Sequence, residues 1–440
     1  MTDFFVLTAT LIIFFSCAIL TIQLRFIQIR ALPKMLTIFF KSLIPNKSHP
    51  KNIETIEASK ALFTAMSTSI GIGNIVAPVV AVKLGGPGAL IGFLLTTFFG
   101  AAATFTEVTL ALKHRKIKKD QTISGGPMQY LHDIVSPRFG FFYACSGLIL
   151  LVLWCTNQSN TLADLLTPYH VPQSVTASIT TLIVLVILFG GIRRISEIAT
   201  KVVPIMFIVY SLSCFWIILC NRLHFPEVFN LIISSFFSSQ TIAGASGGFS
   251  WILALRWGLA KGFQSNESGV GTASIPHSMS ESKTPMDQGI LSMVAVYSNG
   301  FLCLLTGFVI LLTGIWKDTT LGFGINVVLK AFSLYIPRFG SIILMSCSVF
   351  FILTTILGNA YNGSQCFSYL AGKKNLKTYY IFISLSVFLG SLLDVEFVWT
   401  VVDFFVIPVA CPNVLALVFI NFKKPLKPKK SFILAKKPST

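Results

Sequence analysis

Apolar stretches of bilayer length recur along almost the whole of this 440-residue chain. About 20 such residues cross a hydrocarbon core of roughly 30 Å. Inside lipid each backbone amide must be satisfied within its own segment, so the stretches are helices. A β-barrel would show short alternating segments, and none occur. Composition agrees, because 54% of the residues are hydrophobic and only 11% are charged. A soluble chain of this length needs more charge to cover its surface. The sequence predicts an all-α integral membrane protein in the lipid bilayer.

The formal net charge of +18 does not point to nucleic acid. The cations lie between apolar runs and do not form one basic domain. The nine cysteines sit within or beside apolar segments without a CxxC pair, as small buried hydrophobes do. The run Phe4 to Gln23 is too long for a signal-peptide core and has no small-residue cleavage site after it. It is expected to be a first transmembrane helix.

Eleven spans are predicted, at roughly 4–28, 60–83, 88–112, 139–166, 172–191, 196–220, 262–282, 287–315, 339–370, 376–394 and 397–421. Residues 225–260, broken by Ser and Gly, read as a surface-lying or re-entrant helix pair. Loops 29–59 and 113–138, the pairs Arg193-Arg194 and Lys373-Lys374, Lys377, and seven lysines from Lys423 to Lys437 fall on one face with eleven spans. The opposite loops carry few cations: Lys83, Arg222, Lys317, Lys330 and Arg338. Cytoplasmic loops collect Lys and Arg. The expected topology in the cell membrane has the N-terminus outside and the C-terminus in the cytoplasm. Residues 1–421 then form one transmembrane unit, and 422–440 a solvated basic tail near anionic lipid heads.

Two spans are interrupted. The second contains Ser67-Thr-Ser-Ile-Gly71-Ile-Gly73-Asn74, and the seventh Ser265-Asn-Glu-Ser-Gly269-Val-Gly271-Thr-Ala-Ser-Ile-Pro276. Glycine loosens a helix, and unwound backbone at this depth is tolerated only around a buried or wet cavity. Close packing of small residues is the plainer reading of a glycine pair. It fits less well where polar residues stand among the glycines and two such segments lie five spans apart. That spacing predicts an inverted 5+5 repeat with two broken helices and one extra N-terminal helix. The extra helix is about 4–28, repeat one about 60–220 and repeat two about 262–421. Such carriers bind cargo where the two breaks meet.

Gly71-Ile-Gly-Asn-Ile75, Leu84-Gly-Gly-Pro-Gly-Ala89, Glu107-Val-Thr-Leu-Ala111, Gly125-Gly-Pro-Met-Gln-Tyr130 and Ser265-Asn-Glu-Ser-Gly-Val-Gly271 occur in order. Thr354-Thr-Ile-Leu-Gly358, Asp403 and Pro412-Asn413 follow. With these motifs the chain, from about 20 to 420, resembles the alanine or glycine:cation symporter family, the sodium:alanine symporters. The resemblance implies the fold of the amino acid–polyamine–cation superfamily. It also implies transport of a small neutral amino acid, alanine or glycine in L or D form, with Na⁺ as coupling ion. By the resemblance, Ser69, Ile72, Gly73, Asn74, Gln158, Gly269, Gly271, Thr272, Ala273 and Asn359 fall at the substrate site. Ile70, Gly73, Thr354 and Thr355 fall at a sodium site. The plainer reading of paired Thr hydroxyls in a membrane helix is a bond back to the i−4 carbonyl.

Three positions depart from the family pattern. Ile72 stands where a Thr is usual, Asn359 where a Trp closes the pocket, and Ser364 where a Glu is usual. Asn359 opens or polarises that pocket, which favours cargo larger or more polar than alanine. Intramembrane acids are functional candidates. Glu107 reads as a structural hydrogen-bonding group, while Glu267 could carry a proton in an H⁺-coupled variant. His277 reads as a packed, satisfied histidine. A different class, an intramembrane serine protease, would use Gly244-Ala-Ser246-Gly247 with His277 as base. A channel would need a continuous polar pore, whereas the polar residues cluster at mid-membrane. A carrier, not an enzyme, is the expectation.

Overall fold

The computed structural model describes residues 2–44, 55–117, 122–237, 251–282 and 284–426. Among the described residues the regular structure is helical apart from a two-stranded antiparallel ribbon, Lys116–Ile117 with Ile123–Ser124, and a bridge between Ile56 and Ser280. Helix α1 (Thr2–Gln23) stops where Arg25 and Phe26 turn left-handed, at φ 54° and 55°. The expected first span, 4–28, therefore ends at Gln23. Two short helices follow, α2 (Ile27–Arg30) and α3 (Leu32–Ser42).

The second expected span is two helices, α4 (Ala58–Ser69) and α5 (Gly73–Gly85), bent by 41° at the glycines. Helix α6 (Ala89–Lys113) is the central post of the fold. Its Gly92 touches Gly258, its Thr96 fills the space beside Gly262, and its Thr97 fills that beside Gly300. A side chain at any of these glycines would collide with the neighbouring helix, so small residues set the helix spacing.

Helices α7 (Pro127–Ile134), α8 (Pro137–Leu166), α9 (Gln173–Leu188) and α10 (Gly191–Cys220) follow. Ser136 caps α8 by accepting from the Phe139 amide. Helix α10 starts at Gly191, five residues before the expected 196, and so takes in Arg193 and Arg194.

Helix α11 (Phe225–Phe237) accounts for part of the irregular stretch; 238–250, with Gly244-Ala-Ser246-Gly247, lies outside the described residues. The rest, from Trp251, is helical and continuous with the start of the expected seventh span. This helix is α12 (Trp251–Asn266), so it begins at 251 and not at 262. After the second break come α13 (Ser274–Ser278), α14 (Pro285–Leu312), α15 (Asn326–Tyr335), α16 (Gly340–Ala371), α17 (Leu376–Gly390) and α18 (Val395–Lys423).

Among the described residues, seven helices are long and apolar enough to cross a bilayer: α1, α6, α8, α10, α14, α16 and α18. The bent pair α4–α5 makes an eighth. The other three expected spans fall on α9, α12–α13 and α17; the single helices α9, α12 and α17, of 16, 16 and 15 residues, are each shorter than a straight crossing requires. Of the expected cytoplasmic lysines, Lys47, Lys51, Lys118, Lys119 and those from Lys427 onward lie outside the described residues.

Candidate functional site

The two breaks are built differently. In the first, Ile70 is extended and Asn74 Oδ1 accepts from the Gly71 amide at 2.9 Å, replacing the helical bond that the break removes. A Cβ on Gly71 would lie 2.6 Å from Thr355 Oγ1, so only glycine fits there. In the second, Glu267, Gly269 and Gly271 all have positive φ, at 52°, 89° and 94°. Three left-handed residues in five end the helix.

One side chain joins the breaks. Asn299, fully buried on α14, donates from Nδ2 to the Ser69 carbonyl at 2.6 Å and to the Ser265 carbonyl at 2.8 Å. Asn74 Nδ2 in turn donates to the Asn299 carbonyl at 3.3 Å. A second clamp holds the α12–α13 break from the other side. Asn413 on α18 donates from Nδ2 to Glu107 Oε1 at 3.0 Å and to the Gly269 carbonyl at 2.9 Å. Its Oδ1 accepts from Tyr130 Oη at 2.7 Å, and Tyr143 Oη donates to the Val270 carbonyl at 2.7 Å.

A cavity of about 400 Å³ opens beside the first break. Thr68, Ser69, Gly71 and Gly73 form one wall, and α8 with α16 the facing wall. These two helices run antiparallel: Leu151 packs at Gly363, and Cys155 reaches the Ile356 carbonyl. Gln158 and Thr355 therefore share a layer at Gly71, and Trp154 and Asn359 share the next layer, one turn along. The cavity extends past Ser265 and Glu267 to a charged cluster. There Gln264 Nε2 donates to Asp403 Oδ1 at 2.6 Å, and Lys261 Nζ reaches Gln264 Oε1 at 2.9 Å and Asp403 Oδ2 at 3.4 Å.

Phe323 and Gly324 stand at the far end. Their loop is tied down by Lys83 at the end of α5. Its ammonium donates to the carbonyls of Asp318 at 2.8 Å, of Leu321, and of Gly322 at 3.0 Å. Lys330 and Thr320 hold the Asp318 carboxyl below the usual carboxylate range. Lys83→Ala is expected to free this loop, raising KM several-fold with little change in maximal rate and increasing hydrogen exchange over 318–324. Unchanged exchange would show that the loop is held by other contacts.

The opposite end is sealed. All five residues of α13 are buried, and Gly125 and Gly126 close on Ser278 and Ile275. Arg115 donates to the carbonyls of Ser278, at 3.0 Å, and of Ser280. The Ile56 amide donates to the Met279 carbonyl at 3.0 Å.

Of the residues expected at the site, Ser69, Gly73, Gln158, Thr355 and Asn359 line the cavity. Gly73 opens the first turn of α5, and a Cβ there would meet nothing within 4 Å. Ile70 and Ile72 are buried away from the wall. Asn74 spends its amide on the break. Gly269, Gly271, Thr272 and Ala273 stand behind the wall, and Thr272 reaches it only through its 2.7 Å bond to Glu267. Thr354 Oγ1 bonds back to the Phe350 carbonyl at 2.8 Å. Ser159 and Asn160 donate to α17 carbonyls or just beyond, so the polar row divides: two residues face the cavity and two join helices.

His277 is packed, but only half satisfied: Nδ1 pairs with Gln288 at 2.7 Å, while Nε2 has no partner among the described residues. Ser364 bonds within its own helix at 2.6 Å. Sequence reasoning missed Lys261, Gln264 and Asn299, and named Asp403 without its partners. Lys261 and Asp403 were detectable as lone charges in apolar segments. Asn299 gave no comparable signal.

A profile of the sodium:alanine symporter family matches residues 2–433. An uncharacterized transporter of Haemophilus influenzae is 34% identical over 424 residues, covering 94% of this chain and 91% of its own. The sodium/alanine symporter AgcS of Methanococcus maripaludis is 31% identical over 418 residues, covering 91% and 89%. Among solved structures, MhsT in complex with L-phenylalanine superposes with a TM-score of 0.60 at 12% identity, over 86% of this chain and 92% of that one. A substrate-bound, outward-open Na⁺-coupled sialic acid symporter gives 0.57 at 11% identity, over 89% and 82%. Those two likenesses show a shared transporter fold.

Proposed function

From the premise that the chain belongs to the sodium:alanine symporter family, a family of transporters and not of enzymes, we propose that it carries a small neutral amino acid into the cytoplasm together with Na⁺. Alanine, glycine or a similar amino acid, L or D, is the cargo on this reading. The observation that carries it is the cavity at the first break, where Gly71, Gly73, Gln158 and Thr355 converge.

The first turn of α5 offers amides and positive potential to the cargo's carboxylate, and Gly73 lets the backbone approach. Gln158 Oε1 and Thr355 Oγ1, buried without partners among the described residues, supply acceptors for an ammonium group or a dehydrated cation. Na⁺ is a hard ion that takes oxygen ligands. Thr355, with the freed backbone at Ile70 and Gly73, is the ion's place on this reading, and Thr354 lies beside it.

The rest of the proposal follows the same frame. The chain crosses the membrane eleven times as an inverted repeat after one extra helix, the second repeat starting at Trp251, with the N-terminus outside. The even fall of Lys and Arg on one face supports this topology. A proton-coupled variant is the second reading. Glu267, a cavity-lining carboxylate that pairs with no cation among the described residues, favours it.

Labelled alanine uptake by proteoliposomes, competed with L- and D-amino acids with and without a Na⁺ gradient, tests the reading. Gln158→Leu is expected to lower uptake more than about tenfold without preventing membrane insertion. Wild-type uptake by that variant would contradict the site.

A further inference from the structure

The wall formed by α8 and α16 carries more free hydrogen-bonding groups than a small apolar cargo can use. Asn157 Oδ1, Gln158 Oε1, Thr355 Oγ1 and Asn359 Oδ1 are all buried and have no partner among the described residues. All four residues line the cavity. Buried polar groups are almost always paired in the working state of a protein, so a ligand is expected to pair them.

The groups lie in layers. Gln158 and Thr355 face Gly71, where the reading above docks the backbone end of the amino acid. Asn359 and Trp154 lie one turn further, about 5.4 Å along the wall. Asn359 is only 1% exposed, and Trp154 lies beside it as an apolar face. An alanine methyl group spans about 1.5 Å from its Cα. It would reach the first layer, where Asn157 and Gln158 adjoin, and leave the Asn359 carboxamide without a partner.

We propose that the preferred cargo is a neutral α-amino acid whose side chain ends in a carboxamide, glutamine before asparagine, with Asn359 as the residue that selects it. Three C–C bonds and one C–N bond carry a glutamine amide about 5 Å from its Cα when extended, which is the separation of the two layers. Carboxamides match one another as donor and acceptor at once. The two methylenes pack on Trp154. A carboxylate at the same place would meet no cation, because Lys261, the one cation on the wall among the described residues, is held by Asp403 and Gln264. A leucine side chain fills the space without pairing the Asn359 carboxamide. A site built to hydrogen-bond a side chain discriminates strongly against cargo that lacks the group.

This inference rests on the amino-acid carrier reading, and the experiment separates the two. The purified full chain is placed in proteoliposomes with an inward Na⁺ gradient. Uptake of labelled glutamine and of labelled alanine is measured, each competed with glutamine, asparagine, glutamate, alanine and leucine. The expected result is half-inhibition by glutamine at a concentration at least about tenfold below that of alanine, with asparagine between them and glutamate and leucine weakest. Asn359→Leu is expected to bring glutamine and alanine within about threefold of each other. Asn359→Gln, which keeps the carboxamide, is expected to retain the preference and serves if the first variant does not insert. Alanine or glycine competing at lower concentration than glutamine would overturn the proposal while leaving the carrier reading in place. So would a glutamine preference that Asn359→Leu leaves intact. No Na⁺-dependent uptake of either label would overturn the carrier reading itself.

Discussion

Asn299→Leu is expected to abolish uptake and to lower the thermal midpoint of the purified protein. Leucine has similar bulk but no donor. The Ser69 and Ser265 carbonyls would both lose their 2.6 Å and 2.8 Å bonds. The Ser265 hydroxyl, which donates to Asn299 Oδ1 at 3.2 Å, would lose its acceptor. Each orphaned buried group costs about 1–3 kcal/mol. The larger consequence is geometric. Ser69 ends α4 and Ser265 lies near the end of α12, so Asn299 is the pin that fixes one break against the other. Without it Ser69 and Ser265 shift relative to the Gln158–Thr355 layer, and a shift near 1 Å is enough to disable a preorganised site. Asn299→Asp keeps the shape and turns an acceptor toward two carbonyls, so it is expected to do no better. Uptake within twofold of wild type in Asn299→Leu would show that the breaks are aligned by something else.

Asn413→Leu is expected to have the second largest effect, and on folding before transport. Asn413 holds Glu107, the Gly269 carbonyl and the Tyr130 hydroxyl together. Glu107 is fully buried, and its Oε2 already has no partner among the described residues. Removing the donor to Oε1 takes away the carboxyl's side-chain partner and leaves it only the Gly269 backbone. Three orphaned groups at about 1–3 kcal/mol each approach the total stability of many domains. The expected outcome is low yield and aggregation on detergent extraction. A double-mutant cycle with Glu107→Leu checks the cause. If Asn413 acts by holding Glu107, the double variant is less destabilised than the sum of the singles; additive losses would separate the two residues.

The spans were legible because lipid imposes one rule on every crossing, a long apolar run. The breaks were legible because glycines beside polar residues violate that rule at two matched places. Legibility failed where charge was neutralised at a distance. Lys261 on α12 is answered by Asp403, 142 residues later, and Arg256 lies over the ring of Trp257. Hydropathy counts such residues as solvent-facing, so it places the start of this helix at 262, eleven residues after α12 begins at Trp251. Arg193 and Arg194 cut the sixth span short for a simpler reason: they are exposed charges in the first turn of α10, outside its apolar run.

Inside the site, sequence identified groups that line the cavity, such as Gln158 and Asn359, and not those that hold the frame. Asn299 is one polar residue in an apolar helix, like many others. Its importance comes from two carbonyls, 230 and 34 residues away along the chain, which no local pattern encodes. Asn74 shows the opposite error. Its position in the break was right, but its amide is turned inward to Gly71 and Asn299.

The two ends of the cavity are closed by unequal means. At the Phe323 end, one ammonium grips three main-chain oxygens, a contact that water and a single side-chain rotation can undo. At the other end Arg115, the strand-like pairing of Ile56 with Ser280, and the fully packed α13 must part together. A solute admitted past the loop thus meets an airlock whose far door is much heavier than its near one. More contacts must break together at the far door than at the near one.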